Sequence, residues 1–133
     1  MARCEKLPTR WKGYNRPAKQ RIRTDVSFFI NARTDVFISQ KRHGATLLAS
    51  ALERARAYAE AGADGLFVPG LSDLSLIAEL TKASPLPVNI MVSQGADIAA
   101  LAKQGVARVS YGADPYAQAM SVLQETARKA VHK

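Results

Sequence analysis

Arg33 and Asp35 stand two residues apart, just beyond the run Phe28-Phe29-Ile30-Asn31-Ala32. A guanidinium is a planar fork of donors that matches the oxygen pair of a carboxylate or phosphonate. Arg33 is therefore a candidate anion-binding residue, and an ion pair with Asp35 is the alternative use of the same side chain. Asn89 is a second polar residue set inside an apolar run, Pro87-Val88-Asn89-Ile90-Met91. It can touch a ligand, or it can hold the next loop by a hydrogen bond at the rim. Histidine is scarce, with only His43 and His132, so a histidine-based zinc site or a Ser-His-Asp triad is not expected. Cys4 is the single cysteine. It can form no internal disulfide, which fits a reducing cytoplasm. Asp35, Asp64, Asp73, Asp97 and Asp114 fall mostly at helix starts or in connecting loops, where capping is the default role. A hard cation needs several oxygen ligands converging on one point, and the spacing shows no such cluster.

The elements that must position these residues follow from periodicity. Phe28 to Ala32 reads as a buried strand. Thr46 to Ala61 reads as an amphipathic helix with Leu48, Leu52, Ala55 and Ala59 on one face, and Gly62 is placed to end it in the left-handed conformation. Gly65 to Val68 is a second strand, broken by Pro69-Gly70. Ser72 is placed to cap a helix carrying Leu74, Ile77, Ala78 and Leu80. Pro87 to Met91 is the third strand, Ala96 to Gln104 a short helix, and Ala107 to Tyr111 the fourth strand. Pro115 suits the first turn of a last helix that runs to Val131. The order βαβαβαβα predicts a parallel α/β sheet with helices packed on it. Chemistry then belongs beyond the C-terminal ends of the strands, at Arg33 with Asp35, at Pro69-Gly70, from Asn89 to Ser93 and from Gly112 to Asp114. A doubly wound sheet and a barrel segment both satisfy this order.

Charge divides the chain unevenly. The net charge is +8, and residues 1–26 hold eight Lys or Arg against Glu5 and Asp25. This leader also carries Pro8, Gly13 and Pro17 and lacks periodicity, so it is expected to be a disordered basic arm, with the folded domain over 27–133. The stretch Arg10 to Arg16 interleaves cations with Trp11 and Tyr14, the chemistry of phosphate contact plus base stacking. A solvated tail is the alternative. No apolar stretch is long enough for a membrane span.

The motifs Phe29-Ile30-Asn31-Ala32-Arg33-Thr34-Asp35, Ala61-Gly62-Ala63-Asp64-Gly65 and Phe67-Val68-Pro69-Gly70 resemble the isocitrate lyase / phosphoenolpyruvate mutase superfamily. Pro87-Val88-Asn89 and Gly105-Val106-Ala107-Arg108-Val109-Ser110 continue the likeness in order, so it covers about residues 27–131. The resemblance implies a parallel (βα)₄ unit equivalent to strands five to eight of a TIM-type (βα)₈ barrel. It implies a Mg²⁺-dependent lyase or mutase that makes or breaks a C–C or P–C bond in small 2-oxo or hydroxy acids through an enolate-like intermediate. Arg33 stands where the family grips a substrate carboxylate or phosphonate, and Asn89 matches a substrate-contacting position. Gly70 stands where many of the family's lyases have Glu. The family's acidic Mg²⁺ ligands and its catalytic loop do not match any stretch of this sequence.

Two functions follow as expectations. One is a lyase or mutase family protein that is truncated and inactive alone, keeping part of the anion pocket. Its partners would be a small carboxylate or phosphonate, and either a second copy or a chain supplying the missing barrel half. The other is a half-barrel interaction module whose basic arm contacts nucleic acid or another polyanion.

Overall fold

The computed structural model describes residues 28–38, 40 and 43–131. The basic leader assigned to residues 1–26 lies outside them. Four strands alternate with four helices: β1 (Asn31–Arg33), α1 (Ala45–Glu60), β2 (Gly65–Val68), α2 (Leu74–Ala83), β3 (Val88–Met91), α3 (Ile98–Lys103), β4 (Arg108–Ser110) and α4 (Asp114–Val131). All neighbouring strands are parallel, in the order β1-β2-β3-β4.

Two features separate a half barrel from a doubly wound sheet. The strand order is sequential, with no reversal at which a ligand crevice would form. Among the described residues, helices cover only one face. Ala32, Leu66, Val68, Val88 and Ile90 share that face by alternation and register, and each is buried. On the other face Arg33 and Met91 are exposed and Phe67 is half-buried, while Asn89 is buried. Leu66, Val68 and Val88 are therefore not on the open face. Alternation places them against the helices, and it is the other set of side chains that faces the opening.

Local chemistry explains the joints. α1 ends in a left-handed turn: Gly62, at φ +88°, donates to Ala59 O, and Ala63 donates to Tyr58 O. The next acidic residue then pins β1, because the Asp64 carboxylate accepts from the Ile30 amide at 2.7 Å. Asp73, rather than the neighbouring Ser72, caps α2 by accepting from the amides of Ser75 and Leu76. Asp97 caps α3 in the same way through the Ala100 amide. The buried stripe of α1 is Leu48, Ala51, Ala55 and Tyr58, turned slightly from the one read by periodicity. α1, α2 and α3 each bury at least one residue, whereas α4 buries none. Among the described residues no helix is long and apolar enough to cross a membrane.

Candidate active site

The four places picked for chemistry do gather along one edge of the sheet, because parallel strands end on the same side. Two close contacts bind the loops there into pairs. The Asp114 carboxylate accepts from the Gln94 amide at 2.9 Å, joining the loop after β4 to the loop after β3. Gly70, at φ +88°, lies against the loop after β1: a Cβ added to it would stand 3.1 Å from the Ile38 nitrogen and from the Phe37 carbonyl carbon. A side chain at position 70 is therefore strained in conformation and obstructed in space. This is the physical counterpart of finding Gly where many family lyases carry Glu.

Arg33 sits at the last residue of β1. Its Nε donates to Asp35 Oδ1 at 2.6 Å, and its guanidinium carbon lies 5.8 Å from the centre of the Phe67 ring. The ion pair is real, and it engages Nε; the terminal nitrogens that form the fork are outside that contact. The backbone beneath is held separately. Tyr58, projecting from α1, donates its hydroxyl to the Arg33 carbonyl at 2.9 Å. Next in the chain, Thr34 is buried and its Oγ1 has no hydrogen-bond partner among the described residues. Loop residue His43 packs edge-on against Phe37, ring centres 5.1 Å apart, with Nε2 3.0 Å from the Phe37 carbonyl oxygen.

Asn89 lies in the same lateral row as Arg33. The register runs Arg33–Phe67–Asn89–Arg108 across the four strands, so all four share the face away from the helices. Asn89 is only 4% exposed, and its Oδ1 accepts from the Ser110 hydroxyl at 3.1 Å. The side chain is thus oriented by β4. Two members of the row, Phe67 and Arg108, and Ser110 on the same face of β4, were quoted in motifs but not singled out as site residues. Alternation along each strand was the available signal, but it becomes informative only once the register is known. The cavity of about 390 Å³ between α2, α3 and the end of β3 is lined by Leu71, Ile77, Ile90, Val92 and Leu101 among others, and by none of the row residues.

Whether these residues suit a divalent cation can be tested on the donor set. Among the described residues no three His, Cys, Asp or Glu side chains come together to hold a metal ion. Asp35 is taken by Arg33, Asp64 by the Ile30 amide, Asp73 and Asp97 by helix starts, and Asp114 by Gln94. The described residues do not fit a Mg²⁺ site.

Comparison with known proteins supplies the family. The model of the phosphoenolpyruvate phosphomutase family matches residues 13–131, so the matched span starts inside the basic segment. An uncharacterised protein of Mycobacterium tuberculosis is 42% identical over 100 residues, which are 75% of this chain and 38% of that one. The 2-methylisocitrate lyase of Salmonella typhimurium is 38% identical over 66 residues, half of this chain and 20% of the enzyme. Among solved structures, a phosphonomutase-like protein of Burkholderia cenocepacia superposes with a TM-score of 0.80 at 51% identity, covering 84% of this chain and 46% of that one. A lyase/mutase-like protein of the same organism gives 0.72 at 28% identity, with 86% and 41% covered. The chain thus spans less than half the length of each of these relatives. The motif residues at the strand ends, the half-barrel sheet that carries them and a family match over most of the sequence agree: the chain belongs to the phosphoenolpyruvate phosphomutase family, within the isocitrate lyase / phosphoenolpyruvate mutase superfamily.

Proposed function

We propose that this chain carries the anion-gripping part of a lyase or mutase acting on C–C or P–C bonds of small 2-oxo or hydroxy acids. The observation that carries the reading is Arg33. It stands at the C-terminal end of a barrel-type strand, held through Nε by Asp35 and through its carbonyl by Tyr58. A pre-positioned guanidinium spends less freedom on binding, and its terminal N–H groups suit a carboxylate or phosphonate fork. Asn89, fixed by Ser110 in the same row, offers its amide N–H₂ to a second ligand oxygen or to the loop above. The remaining strands of the barrel, on whichever polypeptide they reside, would supply the catalytic groups. Alone, this half is proposed to bind the anion without turning it over.

The test is calorimetry with oxalate and pyruvate. Arg33→Ala is expected to weaken binding by about 1.5–3 kcal/mol, the range for a hydrogen bond to a charged group. Arg33→Lys should recover only part of the loss, since an ammonium is not a fork. Unchanged affinity in folded Arg33→Ala would place the anion site elsewhere and sink the reading.

A further inference from the structure

The peptide unit between Arg33 and Thr34 is held from both sides. Its N–H lies in the sheet, where Thr34 donates to the Phe67 carbonyl of β2 at 2.9 Å. A trans peptide is planar and points its carbonyl the opposite way, and among the described residues no peptide is cis. The Arg33 carbonyl therefore faces away from β2. β1 stands first in the strand order, so that direction leads off the edge of the sheet, where a strand's carbonyls lack a ladder partner. The Tyr58 hydroxyl takes that place, donating to Arg33 O at 2.9 Å from the last turn of α1. Tyr58 itself is only 7% exposed. The helix that follows β1 thus turns a buried side chain back onto the edge of its own strand, at the residue that bears the guanidinium.

We infer that Tyr58 is the positioning residue of the anion site, setting where the Arg33 guanidinium stands by clamping the peptide beneath it. This rests on the reading of Arg33 as the anion grip and adds which of its two anchors decides its place. The anchors differ in shelter. The Asp35 pair joins side chains that are 53% and 64% exposed, so water and salt screen it. The Tyr58 bond joins two uncharged groups and comes from a buried ring, so salt leaves it in force. Both clamps on the peptide, the Phe67 carbonyl and the Tyr58 hydroxyl, belong to this chain. The grip is therefore formed without any strand beyond β1, and the single chain binds oxalate with no second polypeptide. Tyr58 acts through Arg33 rather than on the anion.

The experiment titrates oxalate into the full chain by calorimetry at low and at high salt, and follows the Arg33 Nε–H signal by ¹H–¹⁵N NMR, assigned as the one that Arg33→Lys removes. Tyr58→Phe keeps the ring and deletes the hydroxyl. It is expected to weaken oxalate about fivefold at both salt concentrations, the equivalent of one ordinary hydrogen bond, and to shift or broaden the Arg33 signal. Asp35→Asn should weaken oxalate less than Tyr58→Phe does, and at high salt by no more than about twofold. A Tyr58→Phe chain with a lower thermal midpoint but wild-type affinity and an unmoved Arg33 signal would make Tyr58 a packing residue and overturn the inference. If Tyr58→Phe does not fold, Asp35→Asn decides: a loss at high salt as large as that of Arg33→Ala would make Asp35 the anchor and overturn it equally, and a loss within twofold would support it. Wild-type affinity in Arg33→Ala is a different result, in which the anion site itself fails and Tyr58 has nothing to position.

Discussion

Arg33 is held at two points, by Asp35 at its side chain and by Tyr58 at its carbonyl. The Asp35 contact is exposed, with both side chains more than half accessible, so it contributes little to stability. The contact orients the guanidinium, while Tyr58 fixes the backbone below. Thr34 makes the opposite case. Its hydroxyl is buried without a partner among the described residues, and a stranded polar group costs about 1–3 kcal/mol. Thr34→Val keeps the shape and removes the hydroxyl. It is expected to raise the unfolding free energy by about 1 kcal/mol in urea melts. A loss of stability instead would mean that the hydroxyl is hydrogen-bonded in solution.

At the scale of elements, the joints between helices and strands set the site. The segment Gly62 to Gly65 has a residue-by-residue explanation. Gly62 adopts the left-handed turn, Asp64 takes the Ile30 amide, and Gly65 leaves room for the Phe29 ring. Gly70 does comparable work after β2, where the chain approaches the backbone at Phe37 and Ile38. Gly70→Ala forces a side chain into a positive-φ position with backbone in its way. It is expected to cost about 1–3 kcal/mol, read as a lower thermal midpoint. A neutral outcome would show that the two loops are not packed as described. Gly70→Glu should be worse still, and should not restore a lyase-like contact.

The whole molecule is asymmetric. Among the described residues its helix side is closed and its opposite side bears no helix, and α4 lies outside the core. Because α4 buries no residue, removing Tyr116 onward is expected to change the unfolding free energy of the dilute chain by less than about 1 kcal/mol. A large loss would mean that the helix packs against the body or a partner in solution. Catalysis also belongs to this scale. Enolate chemistry requires developing negative charge to be stabilised, usually the largest contribution to rate. The described residues gather no metal-binding set, and a second copy repeats the same side chains. Purified chain alone should therefore show no Mg²⁺-dependent turnover of isocitrate, 2-methylisocitrate, oxaloacetate or phosphonopyruvate in a coupled assay. Metal-dependent turnover abolished by Arg33→Ala would overturn the half-enzyme proposal.

Element order, the parallel sheet and the position of Arg33 at a strand end were legible in the sequence. Each rests on local information: apolar periodicity, glycines at turns, and a motif whose residues are adjacent in the chain. Details within a turn were less secure. Ser72 and Asp73 are both good caps by residue type, and only the path of the backbone selects Asp73. The tertiary structure alone decided which face of the sheet is covered. Alternation divides a strand into two sets of side chains but does not say which set meets the helices, because that depends on register and crossover geometry between distant segments. The same non-local pairing puts Arg33, Phe67, Asn89 and Arg108 in one row. These residues lie between 19 and 34 positions from their neighbours in that row, beyond the reach of any local pattern. Their common face turns four separate strand residues into one surface, with the Arg33 guanidinium at one end and that of Arg108, over the Phe29 ring, at the other.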